Sequence, residues 1–271
     1  MLILSFFQSL CIPNALKIGV VTPLYKKKGK KNQSSSYRPI SNIPFIAKIV
    51  ERLIFSRLSY FCESKLINQQ HGLRKGRSCE TAVSILAQNI SNIVDQRKRK
   101  ALALFLDLRK AFDSVSIPIL ISKLPSFNFP PDLQHILASY LTNRKILIKT
   151  GSHSKLFSLF CGVPQGSILS PLLFALYIND VGSYLTHEFL LYADDLVMIF
   201  DISNNPNPTE LVSIEIEKFI DWWEKNNLQI NFSKSKYMVF KKAHDNSEPA
   251  SNANFISIRG NTIERVITFR Y

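Results

Sequence analysis

The sequence lacks paired cysteines, a long apolar run and a recognisable leader. Its cysteines, Cys11, Cys62, Cys79 and Cys161, form no C-x-x-C pair and have no histidine at zinc-ligand spacing, which predicts free, buried thiols in a reducing compartment. The apolar stretch Met1–Leu10 is too short to span a bilayer, and it has neither a basic start nor a small-residue cleavage site. We therefore expect a soluble intracellular protein, in the nucleus or the cytoplasm, that makes no contact with a membrane.

Acidic residues are absent from the first 50 positions, and the first acid is Glu51. The whole chain of 271 residues carries a formal net charge of +14, which favours polyanionic partners. The acid-free stretch contains a basic run made of Lys26, Lys27, Lys28, Lys30 and Lys31, and Arg97-Lys98-Arg99-Lys100 forms a second one. A solvated loop or a nuclear-localisation patch would explain either run by itself.

Hydrophobic periodicity divides the chain into alternating helices and strands. Apolar residues at helical spacing predict helices over 43–66, 78–94, 130–141, 167–184 and 209–228. Apolar runs predict strands near Val20, over 101–108, 145–149, 156–160 and 236–240, and as hairpins over 189–200 and 255–271. This order favours an α+β fold, in which an antiparallel sheet backed by helices follows a helical and loop-rich lobe. We expect the lobe to occupy residues 1–100 and the sheet residues 101–271.

Two adjacent carboxylates, Asp194 and Asp195, lie between the apolar runs 189–191 and 196–200. Like charges this close resist joint ionisation, and the flanking runs are predicted to be buried strands, so a divalent cation is the favoured partner. Asp107 ends another apolar run, although an ordinary strand-end acid is the alternative for that residue. Three carboxylates on neighbouring strand ends are what a two-metal phosphoryl-transfer site requires.

The order of the motifs resembles the reverse transcriptase of non-LTR (LINE-type, Jockey-like) retrotransposons over about residues 8–271. The motifs are Tyr37-Arg38-Pro39-Ile40-Ser41, Gln70-His71-Gly72-Leu73-Arg74, Phe105-Leu106-Asp107-Leu108-Arg109-Lys110-Ala111-Phe112-Asp113, Gly162-Val163-Pro164-Gln165-Gly166-Ser167, Tyr192-Ala193-Asp194-Asp195 and Leu228-Gln229-Ile230-Asn231, with Lys234 after the last. The resemblance implies the fingers and palm of a right-hand polymerase, in one domain of about residues 20–271. It also implies an RNA template, a DNA primer, deoxynucleoside triphosphates and two Mg²⁺ ions, with Mn²⁺ as the alternative metal.

The resemblance also implies a role for single residues. Asp107, Asp194 and Asp195 would hold the metals, with Asp195 partly structural, and Lys234 would protonate the leaving pyrophosphate unless it is a solvated loop lysine. Nucleotide binding falls to Arg38, Phe112, Gln165 and Gly166, of which Phe112 would exclude a ribose 2′-hydroxyl unless it is a core aromatic. Nucleic-acid binding falls to Lys26, Lys27, Lys28, Lys30, Lys31 and Arg74. Asp113 is interpreted as a backbone cap in preference to a metal ligand, and Ser167 as either a helix cap or a contact.

Departures from the family pattern concern template binding and length. Leu73 stands where the family usually has Phe, and Cys79 where it has Thr. The sequence shows no endonuclease domain, and it ends at Phe269-Arg270-Tyr271 without a thumb. One interpretation is a working RNA-directed DNA polymerase domain, and the other is a truncated, inactive nucleic-acid-binding remnant. Viral RNA polymerases fit less well because they usually have Gly where Ala193 stands, and group II intron maturases because a thumb should follow.

Overall fold

The computed structural model describes residues 8–72, 74–96, 99–150, 153–205, 207–242 and 255–268. Its strands are β1 (Ile18–Tyr25), β2 (Tyr37–Asn42), β3 (Ala101–Leu106), β4 (Lys145–Thr150), β5 (His153–Ser158), β6 (Glu188–Tyr192), β7 (Asp195–Asp201), β8 (Lys236–Phe240), β9 (Phe255–Ile258) and β10 (Asn261–Arg265). Its α-helices are α1 (Phe45–Cys62), α2 (Cys79–Val94), α3 (Ala111–Ser114), α4 (Ile117–Lys123), α5 (Pro131–Leu141), α6 (Ser170–Tyr177) and α7 (Pro208–Lys225). Short 3₁₀ turns cover Asn14–Lys17, Ser34–Ser36, Leu124–Phe127 and Asn179–Ser183.

The chain forms two compact units, each made of two stretches of sequence. Unit 1 contains Met1–Leu66 and Phe112–Tyr177, and unit 2 contains Ile67–Ala111 and Ile178–Tyr271. These units do not follow the predicted boundary near residue 100, because the chain passes from one unit to the other three times. The predicted fingers-like and palm regions therefore stay a prediction about function, separate from the compact units.

Unit 1 holds a four-stranded sheet in the order β2-β1-β4-β5, in which only the β1–β4 pair is parallel. The sequence did not predict β2, because Pro39 interrupts its apolar pattern. Pro39 is tolerated because β2 is an edge strand of this sheet, where one row of backbone N–H groups has no partner strand to serve. Helix α1 buries one stripe at helical spacing, which includes Val50, Ile54 and Leu58.

Unit 2 holds a six-stranded sheet in the order β6-β7-β3-β8-β10-β9. Every residue of β3 is buried, as the continuous apolar run predicts for a central strand. On one side Leu86 and Ile90 of α2 pack against Ala103 and Phe105. The pairing is antiparallel except between β8 and β10, which are parallel, so the sheet is mainly antiparallel, as predicted.

Two other expectations change. The helix predicted over 167–184 is shorter: α6 covers Ser170–Tyr177, and a 3₁₀ turn at Asn179–Ser183 follows, where Asn, Asp, Gly and Ser favour turns. Cys62 is buried as predicted, whereas Cys11, Cys79 and Cys161 are exposed. The departure at Leu73, part of the second basic run and the end of the final hairpin lie outside the described residues. Within the described part of the chain, no helix is both long and apolar enough to cross a bilayer.

Candidate active site

The carboxylates lie at one end of the ladder between β3 and β7 in unit 2. The last ladder pair is Leu106 with Leu196, so Asp107 leaves β3 opposite the position where Asp195 enters β7. Asp195 also pairs with Tyr192 to close the β6–β7 hairpin. Ala193 in the tight turn has a φ of +57°, which turns the chain within two residues. The fold therefore brings Asp107 and the Asp194-Asp195 pair to the same strand ends, as the sequence predicts.

Negative charge is crowded at these strand ends. Burial first, and then the neighbouring charges of Asp194 and Asp107, raise the pKa of Asp195, while Lys234 acts in the opposite direction; the net result is a pKa of about 6. A carboxyl group whose neighbours are anionic is stabilised by any cation that reaches it. The side chains of Asp107, Asp194 and Asp195 are each half-buried, so a cation or a ligand can approach them from solvent.

The segment after α7 supplies neutral and cationic partners to Asp107. The Nδ2 atom of Asn231 donates to Oδ2 of Asp107 at 3.0 Å, and the Nζ atom of Lys234 lies 3.2 Å from the same oxygen. The backbone joins the two segments as well, because the amide of Asn231 donates to the carbonyl of Asp107 at 2.8 Å. Lys234 thus contacts a predicted metal ligand, and its role as an acid stays a prediction. The hydrogen bond from Asn231 to Asp107 is not predicted from the sequence, although Asn231 belongs to the motif Leu228-Gln229-Ile230-Asn231.

The donor chemistry suits a hard divalent cation, which prefers carboxylate oxygens. Among the described residues, however, no three His, Cys, Asp or Glu side chains surround a single point closely enough to form a complete ligand set. Part of the charge of Asp107 is balanced by Lys234 instead. The residues therefore fit a metal site that is completed by ligands from outside the protein, such as substrate phosphates and water.

Gln70 and Gly72 contact the backbone of the Asp194-Asp195 turn at Ala193. The Oε1 atom of Gln70 accepts from the amide of Ala193 at 3.2 Å and from that of Gly72 at 2.9 Å. A Cβ atom on Gly72 would lie 2.3 Å from the backbone nitrogen of Ala193, a distance that only glycine permits. The sequence predicts no role for Gln70 or Gly72, because the uncharged Gln-His-Gly triplet carries no chemical signal for one.

The loop Gly162–Ser167 lies in unit 1 and is fixed by several hydrogen bonds. The amides of Gly162 and Val163 donate to the carbonyls of Val115 and Phe112 at 2.7 and 2.8 Å. Gly162 has a φ of +84°, and a Cβ atom there would lie 2.9 Å from the carbonyl oxygen of Asp113. The side chain of Gln165 donates from Nε2 to Oδ1 of Asp113 at 2.8 Å. Asp113 thus orients the Gln165 amide, a role that neither of its predicted interpretations included.

Unit 1 therefore contains three of the residues predicted to bind nucleotide, Gln165, Gly166 and Phe112. Gly166 is exposed and has a φ of +107°, and a Cβ atom there would lie 3.0 Å from the carbonyl oxygen of Ser41, so the glycine lets β2 approach the loop backbone; the approach of a nucleotide there stays a prediction. The ring of Phe112 is half-buried and packs on Phe174, with ring centroids 5.0 Å apart. This contact combines the two interpretations of Phe112, because one part of the ring belongs to the core and another part remains accessible. Ser167 is buried and accepts from the amide of Leu169 at 3.0 Å, which is a local turn contact just before α6, so the choice between cap and ligand contact stays open.

The first basic run forms the turn between β1 and β2 of unit 1, and all five of its lysines are exposed. Tyr25 and Tyr37, which face each other at the end of the ladder, donate from their hydroxyls to the carbonyls of Gly29 and Lys31. Lys26 is also engaged, since its Nζ atom donates to the carbonyl of Ser35 at 2.8 Å. The turn is therefore an ordered, cationic loop, and nucleic-acid binding by it stays a prediction.

The two predicted arginines differ in accessibility. Arg38 is exposed on the edge strand β2, where it pairs with Leu24. Arg74 is only 9% exposed, and its Nη1 atom donates to the carbonyl of Ile67 at 2.9 Å inside unit 2. That burial favours a structural role for Arg74, so a nucleic-acid contact there stays a prediction without structural support.

Comparison with models of protein families shows which family this chain belongs to. The family model described as "Reverse transcriptase (RNA-dependent DNA polymerase)" matches residues 25–259. This chain belongs to the reverse transcriptase family. The matched range contains both the carboxylate strand ends of unit 2 and the Gly162–Ser167 loop of unit 1, so the predicted family is confirmed.

Relatives among known proteins come from non-LTR transposons. The chain is 29% identical over 272 residues to the "Probable RNA-directed DNA polymerase from transposon X-element" of Drosophila melanogaster, covering 95% of this chain and 30% of that protein. It is also 29% identical over 277 residues to the RNA-directed DNA polymerase from mobile element jockey of the same species, again covering 95% and 30%. It is 31% identical to the "Probable RNA-directed DNA polymerase from transposon BS", covering 69% of this chain and 22% of that protein. The chain thus spans less than a third of these relatives.

Two solved structures with a similar fold are telomerases from Candida tropicalis. An apo telomerase truncated from its C-terminal domain aligns with a TM-score of 0.59 at 12% identity, over 93% of this chain and 54% of that one. A telomerase in complex with a fragment of telomeric RNA aligns with a TM-score of 0.62 at 11% identity, over 94% and 44%. At this identity the likeness concerns the fold alone, and it confirms the predicted α+β polymerase fold class.

Proposed function

We propose that this chain carries the catalytic centre of an RNA-directed DNA polymerase, which adds deoxynucleotides to the 3′ end of a DNA primer on an RNA template during retrotransposition. The observation that carries the proposal is the meeting of Asp107, Asp194 and Asp195 at the ends of β3 and β7, where their charges raise the pKa of Asp195. Family membership supports the same reaction class.

The carboxylates of Asp107 and Asp194, with Asp195, would hold two Mg²⁺ ions. When bound, such ions activate the primer 3′-hydroxyl and stabilise the negative charge on the departing pyrophosphate. Asn231 orients Asp107 through its side-chain hydrogen bond, and Gln70 holds the backbone at Ala193. Lys234 carries a proton on Nζ close to Asp107, which suits it to donate that proton to pyrophosphate.

Deoxynucleotide binding is assigned to four residues of unit 1. Arg38 offers an exposed guanidinium, which binds phosphate oxygens in a bidentate manner. Gly166 lets a ligand approach the backbone, and Gln165, oriented by Asp113, offers its remaining amide groups to a base or sugar. Phe112 would collide with a ribose 2′-hydroxyl and so favour deoxyribonucleotides.

The experiment that tests the proposal is primer extension on a homopolymer RNA with an oligo-dT primer, dTTP and Mg²⁺. Asp107→Asn and Asp194→Asn should each lower the rate by more than about 10³-fold, because the metals lose an anionic ligand. Asp132→Asn, which changes an exposed acid at the start of α5, is the matched control and should keep the wild-type rate. Full activity in either active-site variant would contradict the site assignment.

A nucleic-acid-binding remnant is the second candidate function, favoured by the exposed lysine turn, which needs no intact active site. If the wild-type chain binds RNA but extends no primer, this second function replaces the first. Binding should weaken with salt by a log–log slope of about −0.7 per phosphate contact on single strands. Replacing Lys26, Lys27, Lys28, Lys30 and Lys31 by Gln should flatten that slope by about two to three units. Lys218→Gln with Lys225→Gln, on α7, should leave the slope within about 0.5 units.

A further inference from the structure

Glu51 is a buried carboxylate on α1 that the proposed reaction does not use. Its exposure is 1%, and it is the first acidic residue of the chain. Burial of an ionisable group is costly unless hydrogen bonds or charges compensate it. Such a residue in the interior of unit 1 therefore has partners that explain its presence.

The partners of Glu51 lie on α5 and on the segment that continues the Gly162–Ser167 loop. One carboxylate oxygen accepts from the backbone amide of Ile168 at 3.0 Å, and the other accepts from the hydroxyl of Tyr140 at 2.6 Å. The Tyr140 oxygen lies 2.8 Å from the hydroxyl of Ser167. Because the Tyr140 hydroxyl donates its hydrogen bond to Glu51, the Ser167 hydroxyl must donate to the oxygen of Tyr140. Ser167 in turn accepts from the amide of Leu169. These contacts form one continuous hydrogen-bonded chain.

This chain of hydrogen bonds ends at the start of α6. Ile168 and Leu169 directly precede Ser170, the first residue of that helix, so their amides belong to the helix entrance. A carboxylate at a helix N-terminus is stabilised by the helix dipole. The guanidinium of Arg144, only 3% exposed, lies 4.6 Å from the centre of the Tyr140 ring and supplies a nearby positive charge. These contacts explain why a carboxylate is tolerated at this depth.

We propose that Glu51 is a positioning residue for deoxynucleotide binding. It fixes the end of the Gly162–Leu169 segment, while Asp113 fixes Gln165 in the middle of it. Without Glu51, the amide of Ile168 loses its acceptor, and the hydroxyl of Tyr140, which contacts Ser167, loses its acceptor as well. Gln165 and Gly166 then become less well ordered. The part of this proposal that concerns the nucleotide rests on the proposed function, whereas the anchoring of the segment does not.

The first measurement is amide hydrogen exchange on the full chain, which needs no activity. Glu51→Gln offers one acceptor oxygen in place of two, so exchange at Ile168 and Leu169 should become about 5- to 100-fold faster, the effect of losing one buried hydrogen bond. Exchange in β3 of unit 2 should not change. Glu217→Gln, on the exposed side of α7, is the matched control and should leave all these amides at the wild-type rate. Unchanged protection at Ile168 and Leu169 in Glu51→Gln overturns the proposal.

Tyr140→Phe keeps the proposal testable if Glu51→Gln fails to fold. It removes the hydroxyl that links Glu51 to Ser167 but leaves the direct contact between Glu51 and Ile168. Leu169 should therefore lose protection, whereas Ile168 should keep most of it. Equal loss at both amides, or no loss at Leu169, contradicts the described order of hydrogen bonds.

The second measurement separates positioning from stability. In primer extension, Glu51→Gln should raise the KM for dTTP about tenfold while kcat stays within about twofold. A residue that only stabilised the fold would lower apparent kcat with the folded fraction and leave KM unchanged, and that result overturns the proposal. Glu51→Asp keeps two acceptor oxygens and should recover part of the KM. A wild-type chain that extends no primer overturns the proposed function, and the exchange data then decide on the anchor by themselves.

Discussion

The Gly162–Leu169 segment of unit 1, which contains the Gly162–Ser167 loop, and the Asp194-Asp195 turn of unit 2 both carry family motifs. They are stabilised in opposite ways. In the loop, polar groups are paired: Gln165 with Asp113, Ser167 with Tyr140, and Ile168 with Glu51. In the turn, the backbone is fixed by Gln70, but the carboxylates repel one another and Asp195 has a raised pKa. The loop is thus complete without a ligand, whereas the turn retains unbalanced charge that a cation can neutralise.

The largest effect is expected from breaking the backbone contact behind the turn. Gly72→Ala places a methyl group 2.3 Å from the backbone nitrogen of Ala193, so the backbone must move and unit 2 should lose about 3 kcal/mol of stability. Chemical denaturation measures this loss. Gly76→Ala is the matched control, since a Cβ there meets nothing within 4 Å; its φ of +73° should cost about 1 kcal/mol. Equal losses in the two variants would show that the turn tolerates displacement.

The next effect concerns the loop side, at Phe112. Phe112→Ala should open space beside the nucleotide sugar and lower the preference for dTTP over UTP by about 10- to 200-fold. The comparison of incorporation efficiencies with the two nucleotides measures this. Phe160→Ala, at a residue that is 84% exposed, should leave the preference unchanged. If the preference does not fall in Phe112→Ala, the contact with Phe174 makes Phe112 a core residue only.

A smaller effect tests the charge of the turn through pH. The pKa of Asp195 is raised from its ordinary value of 3.8 to about 6, so ionisation of Asp195 destabilises the folded protein. This destabilisation is absent below pH 3.8 and reaches its full size above about pH 6. Asp195→Asn should therefore stabilise the metal-free protein by about 1 kcal/mol at pH 7.5, after allowance for solvent screening, and by less at pH 5. Thermal unfolding in a chelating buffer measures the difference.

Asp201, at the other end of β7, provides the control of opposite sign. Burial acts to raise its pKa, but hydrogen bonds from Ser203 and the ion pair with Arg99 outweigh burial and lower it. Asp201→Asn should therefore destabilise the protein above the ordinary pKa, and its cost should vanish as the pH falls through the lowered value. A gain of stability from both Asn variants would contradict the electrostatic explanation.

Several elements and the carboxylate site could be predicted from sequence because their signals are local or periodic. β3 is a continuous apolar run, Ser78 caps the start of α2 with its side chain, and Asp107 and Asp194 stand at strand ends. Burial of Arg74 could not be predicted, because charged side chains are mostly exposed and no local pattern signals the exception. The pairing of β10 with β8 could not be predicted either, because it depends on a contact outside any local pattern. The same holds for Gln70, Asn231 and Glu51, whose partners lie about 90 to 125 positions away.

The exposure of β5 has a consequence for handling the protein. β5 ends the sheet of unit 1, and all six of its residues are exposed, so one row of its backbone hydrogen-bonding groups is open. An open edge can add a strand from another molecule, and lysine on such an edge discourages this by repulsion. Lys155 stands within β5, and Lys145 and Lys149 on β4 pair with its residues. High salt screens these charges, so concentrated stocks should self-associate more readily in high-salt buffer than in dilute buffer.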